Sequence, residues 1–323
     1  MTTITETEFS DIYITDKGAT QIAYIQDKNK VSALVELQAD DFDAFFKTVV
    51  DNWDGKNSSY SVHYDGVLYR VERSVSISGI QYCARKMPKT VPSIRVLGYP
   101  NDFVNYMVNL RRSSGLILFA GPTGSGKTTA ISSLLKEFLM KEGGFAYTIE
   151  DPAEQPLDGI YKVESGGLGV CSQTSPINND WGASLKSALR SKPRYIMLGE
   201  IRSPDAASEV LRAATSGHLV LATIHANNVS DAINAVVKYA SSGDMSEDLA
   251  YDLFSRGMLC VVHQNLVGRG IKKPQISFLF ANPDTFQGDS VRGLIKSGKL
   301  NLGTVIEQQM IRMAKGLSLF ENN

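Results

Sequence analysis

The chain has 323 residues, 43% of them hydrophobic and 21% charged, which is enough for two buried cores. Its 33 basic and 34 acidic residues leave a formal charge of -1, so no global positive field is available to gather nucleic acid or anionic lipid. Cys83, Cys171 and Cys260 are spaced for neither a disulfide framework nor a zinc site, no apolar run reaches membrane-spanning length, and Met1-Thr2-Thr3-Ile4-Thr5-Glu6 lacks the basic and apolar segments of a secretion signal; a reducing cytoplasmic setting is expected.

From the first residue onward, short alternating stretches predict strands over 11–14, 22–25, 60–64 and 67–71, with one helix over 39–51. This pattern predicts a small α+β domain over 1–87. Pro88 and Pro92 disfavour regular structure, so 88–101 is expected to be a linker. Apolar runs at 116–120, 145–149, 195–198 and 219–224 then alternate with helical spacing. Over 102–323 that alternation predicts an α/β domain with a mainly parallel sheet.

The segment Gly121-Pro122-Thr123-Gly124-Ser125-Gly126-Lys127-Thr128 fits the phosphate-binding pattern G-x-x-x-x-G-K-[ST]. The apolar run before it predicts a strand, and helical spacing over 129–140, opening on Thr129, follows it. Glycines let the backbone approach phosphates, the loop N–H groups and helix N-terminus favour negative charge, and Lys127 reaches the β- and γ-phosphates. Thr128 is the expected Mg²⁺ ligand. No N-K-x-D or T-K-x-D segment reads guanine, so a GTPase is disfavoured.

Downstream, Thr148-Ile149-Glu150-Asp151-Pro152-Ala153-Glu154 places acids after a predicted strand. Tyr195-Ile196-Met197-Leu198-Gly199-Glu200 delivers a carboxylate to a strand's C-terminal end, where α/β sheets bind ligands. Glu200 there can position or deprotonate an attacking water. His218 and His225 flank the run at 219–224.

In this order, the loop at 121–128, the acidic segment ending at Glu154, the strand ending Gly199-Glu200 and the segment from Thr215 to Ala226 resemble the secretion ATPases that power type II secretion, type IV secretion and type IV pili. Ser10-Asp11-Ile12-Tyr13-Ile14, Tyr69-Arg70-Val71, Cys83-Ala84-Arg85-Lys86-Met87-Pro88 and Ser290-Val291-Arg292-Gly293-Leu294-Ile295-Lys296-Ser297-Gly298-Lys299 extend the resemblance over nearly the whole chain. It implies a RecA-like ATPase domain with a C-terminal helical part, preceded by a PAS-like N-terminal domain. Lys127 and Thr128 would take phosphate and Mg²⁺, Glu154 and Glu200 the metal-bound and attacking waters, and His225 the γ-phosphate. His218 is a weaker counterpart. Arg70 and Arg85 resemble arginines that reach a neighbouring subunit's nucleotide, with Arg73 a substitute for either.

The resemblance further implies a homohexamer, peripheral at the inner membrane through platform or secretion-complex proteins, with no direct nucleic-acid contact. Extension motors generally carry an extra N-terminal domain and a four-cysteine metal site, neither of which is visible here. The short pilus-retraction and Dot/Icm-type motors are therefore the nearer match. At Ser203 the family has aspartate directly after its arginine, and Ser191-Lys192-Pro193-Arg194 replaces a more acidic stretch. Retraction, secretion and conjugation remain open, as does a nucleotide-gated adaptor with little turnover.

Overall fold

In the N-terminal part, apolar and polar residues alternate along the strands, so each strand buries one face. A computed structural model describes residues 2–26, 33–268, 272–283 and 289–320. They group into two units, one within Met1–Thr90 and Glu154–Pro156, the other within Val91–Ala153 and Leu157–Asn323.

The first unit holds β1 (Asp11–Asp16), β2 (Gln21–Gln26), β3 (Leu34–Glu36), α1 (Phe42–Asp51), β4 (Ser59–Tyr64), β5 (Val67–Ser76) and β6 (Gly79–Lys86). The strands form one antiparallel sheet in the order β3-β2-β1-β6-β5-β4. Ile12, Ile14, Tyr69, Val71 and Ala84 on its inner face are fully buried. Phe45 and Val49, one helical turn apart, carry α1 onto that face, and the Phe45 ring meets Tyr69 edge-on at 4.9 Å. The helix begins at Phe42 rather than at the expected 39. Asp41, at its head, accepts hydrogen bonds from Ile4 N–H and the Tyr64 hydroxyl, so its carboxylate ties down the N-terminal segment instead of capping the helix.

In the second unit the chain runs α2 (Asn101–Asn109), β7 (Gly115–Ala120), α3 (Lys127–Glu142), β8 (Gly144–Ile149), β9 (Gly159–Lys162) and β10 (Leu168–Thr174). It continues through α4 (Trp181–Arg190), β11 (Tyr195–Leu198), α5 (Pro204–Ala214), β12 (Leu219–Ile224), α6 (Val229–Ser241) and α7 (Glu247–Gly257). The last elements are β13 (Met258–Val267), β14 (Lys273–Phe280), α8 (Ser290–Lys296) and α9 (Gly303–Ala314). Part of the expected linker is built into this unit. Ile94 is fully buried, Ser93 Oγ donates to Glu137 at 2.7 Å and Lys136 Nζ donates to the Val91 carbonyl at 2.6 Å, both residues of α3.

The eight strands are ordered β14-β13-β7-β12-β11-β8-β10-β9. The six central ones are parallel, and β14 and β9 close the edges antiparallel. The expectation of a mainly parallel α/β sheet thus holds, with two antiparallel edge strands added. Every residue of β7, β11 and β12 is buried, as required of strands covered on both faces.

Strand register fixes what meets at one edge of this sheet. Ala120 pairs with Ile224 on one side and His263 on the other, while Leu198 pairs with Ala222 and with Ile149. Gly121, His225, Gly199-Glu200 and Glu150 therefore leave their strands close to one level, the level at which His263 and Gln264 sit within β13.

Candidate active site

The loop after β7 is shaped by three glycines. Gly121, Gly124 and Gly126 adopt φ of +149°, +75° and +81°, conformations that side-chain-bearing residues rarely take. At Gly121 a Cβ would also run into the Gln264 carbonyl oxygen. Gly126 heads α3 without a side-chain cap, so the first N–H groups of that helix face the loop together with the positive end of its dipole.

Lys127 lies in the first turn and is 7% exposed. Its Nζ donates to the carbonyls of Gly121 and Pro122, each at 2.9 Å, which folds the ammonium into the loop. Pro122, Thr123 and Gly124 are exposed, and Thr128 and Thr129 are half-buried behind them. The Ser125 hydroxyl is buried with no hydrogen-bond partner among the described residues. A backbone cradle that excludes Cβ atoms, an adjoining ammonium and an orphaned hydroxyl fit a nucleotide's phosphates. Thr128 is the residue there that can hold Mg²⁺.

Glu200 emerges just past β11 and is gripped on both oxygens. His225 Nε2 is 3.0 Å from Oε1, and Arg202 Nε donates to Oε2 at 2.8 Å. The backbone beneath it is fixed, because Thr223 Oγ1 donates to the Gly199 carbonyl at 2.5 Å and Gly199 N–H donates to Ile149 O at 2.9 Å. A Cβ on Gly199 would come within 3.3 Å of Glu150 Cγ, which explains the small residue before the carboxylate.

The acidic segment divides in two. Glu150 is 1% exposed and accepts from Thr148 Oγ1 at 2.9 Å and Gln173 Nε2 at 2.8 Å. Glu154 is exposed, and its stretch Glu154–Pro156 groups with the first unit. Among the described residues no hydrogen bond or ion pair joins Glu154 to Glu200.

The two histidines lie at opposite ends of one strand. His225 follows β12 and meets Glu200, whereas His218 precedes it and places Nδ1 2.7 Å from the Pro193 carbonyl. Six strand residues, roughly 20 Å, separate their levels.

In the first unit Arg70 and Arg85 are directly opposed on β5 and β6. Arg85 Nε donates to Asp11 at 2.8 Å, with the arginine side chain 60% exposed. Arg73 points to the other face and lies over the Trp53 ring at 3.9 Å, a cation–π contact that keeps it within its own unit.

Three residues near the loop escape the sequence motifs. Arg202 grips Glu200, and His263 and Gln264 lie within β13, just past the level where β7 ends. Burial pushes the His263 imidazole below its ordinary pKa, the Lys127 charge adds to the shift, and a hydrogen bond with the Ala226 backbone opposes it. The available signal was the apolar run Met258-Leu259-Cys260-Val261-Val262 passing abruptly into polar residues, the same pattern that marks Glu200 and His225.

A strand–loop–helix phosphate cradle on a parallel sheet, with a glutamate presented two strands away, defines an α/β P-loop protein. More narrowly, the chain belongs to the type II/IV secretion system protein family, whose profile matches residues 64–287. It is 29% identical over 222 residues to a twitching motility protein of Neisseria gonorrhoeae, covering 67% of this chain and 54% of that protein. It is 39% identical over 159 residues to the protein transport protein HofB homolog of Haemophilus influenzae, covering 49% and 30% respectively. The chain thus spans about half, or less, of these relatives. The pilus retraction motor PilT, crystallised with ADP, superposes with a TM-score of 0.70 at 24% identity, over 98% of this chain and 88% of that one. The Legionella pneumophila ATPase DotB gives 0.68 at 21% identity, over 96% and 88%. These likenesses establish the shared fold.

Proposed function

We propose that the chain binds ATP with Mg²⁺ and hydrolyses it to ADP and phosphate as one subunit of a homohexameric motor. The observation that carries this reading is the Glu200–His225 pair, held at the ends of β11 and β12, beside the strand that bears the phosphate loop. On binding, the γ-phosphate draws Lys127 from the loop carbonyls and His225 from Glu200. The freed carboxylate then accepts a proton from a water that attacks the γ-phosphorus, and the bond to the bridging oxygen breaks to release ADP. Mg²⁺ held by Thr128, with Glu154 and Glu200 reaching its waters, would neutralise phosphate charge. Arg70 and Arg85 present donors to a neighbouring subunit's nucleotide.

The motor acts from the cytoplasmic side, held peripherally at the inner membrane by platform or secretion-complex proteins. Its work is pilus retraction or the driving of a type IV secretion or conjugation channel. The family membership and the PilT and DotB folds support this assignment. A phosphate-release assay tests it: the wild-type chain turns over ATP, Lys127→Ala loses binding or turnover, and Glu200→Gln binds ATP without releasing phosphate. Wild-type turnover in Glu200→Gln would remove Glu200 from the chemistry.

A further inference from the structure

Gln264 is 1% exposed, within β13, where an uncharged amide must satisfy its polar atoms inside the protein. Its Nε2 donates to the Ser125 carbonyl at 2.6 Å, and its Oε1 accepts from the Tyr99 hydroxyl at 2.5 Å. The direction of this relay is fixed chemically. A backbone carbonyl only accepts, so the amide must turn its NH₂ to Ser125 and its oxygen to Tyr99, and the phenol must donate. The backbone of the same residue packs against the other end of the loop, its carbonyl oxygen filling the space beside Gly121. One residue therefore spans the phosphate loop from its first glycine to Ser125. Tyr99 is itself 7% exposed and lies two residues before α2.

We propose that Gln264, oriented by Tyr99, is a positioning residue for the phosphate loop: it holds the loop open to a nucleoside di- or triphosphate while Lys127 exchanges loop carbonyls for phosphate oxygens. The proposal rests on the loop being a nucleotide site. Without the brace, the Ser125 carbonyl is left buried and unpaired, and the two flanking glycines, which have the widest backbone freedom, can leave the loop conformation. The nucleotide would then have to rebuild the cradle on binding.

The test is titration of the full chain with ADP alongside thermal melting. Gln264→Met keeps the length and removes both hydrogen bonds, and its ADP Kd is expected to rise about 10- to 100-fold, the range of an unsatisfied buried carbonyl. Tyr99→Phe keeps the ring and loses only the orienting donor, and a rise of about 3- to 10-fold is expected. Gln264→Glu at pH 8 opposes a carboxylate to a carbonyl. A carboxyl so buried titrates upward, and once protonated it donates to Ser125. Its loss relative to wild type should therefore shrink as the pH falls toward 6, whereas that of Gln264→Met should not. This recovery separates positioning from simple packing.

Unchanged ADP affinity in a folded Gln264→Met chain overturns the proposal, as does a pH-independent loss in Gln264→Glu equal to that of Gln264→Met. If Gln264→Met does not fold, Tyr99→Phe and Gln264→Glu decide: unchanged affinity in the first, or no pH recovery in the second, overturns it. Absence of ADP binding in the wild type would instead overturn the nucleotide site itself.

Discussion

At the scale of single residues, the environment of Lys127 makes a pH-dependent mark. The His263 imidazole is depressed by burial and by the nearby ammonium, so it stays neutral in the fold at pH values where the unfolded chain already binds a proton. Its contribution to stability is fully present above the ordinary histidine value and is lost as pH falls toward the folded one. Denaturant melts from pH 7.5 to 5 should therefore show declining stability, at up to ~1.4 kcal/mol per pH unit from this one proton, and His263→Gln should flatten that slope. An identical slope in the variant would show that other groups set it. Gly121 is the second sensitive position. Gly121→Ala puts a Cβ against the Gln264 carbonyl at a φ that disfavours any side chain, and a loss of about 2–4 kcal/mol together with ADP binding is expected in the same melts.

At the scale of elements, Ser203 shows how a departure from the family pattern is absorbed. It is the N-cap of α5, accepting from Ala206 N–H at 3.3 Å, with Pro204 at the first helical position. Serine and aspartate both perform this task, so Ser203→Asp is expected to be neutral within ~0.5 kcal/mol and Ser203→Ala to cost about 1 kcal/mol, read by thermal melting. The strands β7, β11 and β12 were legible because burial on both faces demands long apolar runs, and β8, half-buried at two aromatic positions, still read as one. The edge strand β9 is half-exposed and only four residues long, and β10 contains polar residues and a glycine, so neither stands out as a run. Gln264 was hidden for another reason. Its partners are set by the pairing of β13 with β7, and no local spacing encodes that neighbour. Arg73 was a substitute for Arg70 or Arg85 in the sequence, yet it lies on Trp53, on the face of β5 opposite Arg70, because strand parity separates the two.

At the scale of the whole molecule, the proposed ring makes the arginines and the phosphate loop complementary halves. Mixing Arg85→Ala chains with Lys127→Ala chains should restore part of the phosphate release that each lacks alone, and Arg70→Ala should behave likewise if it is the donor. No rescue by either, in rings shown to mix by mass, would argue against arginines acting between subunits. A further consequence comes from the central place of β7, whose neighbours β12 and β13 are both made later than it. Ser125 and the Gln264 amide that reaches it are 139 residues apart in the chain. At ribosomal speeds the earlier half of the site waits roughly seven to thirty seconds for the later. During that interval the growing chain carries a glycine loop on a strand with bare edges, a form suited to chaperones rather than to nucleotide. On the proposed function, chain order alone thus delays the nucleotide site: its loop is made with β7, but the brace that holds it arrives only with β13.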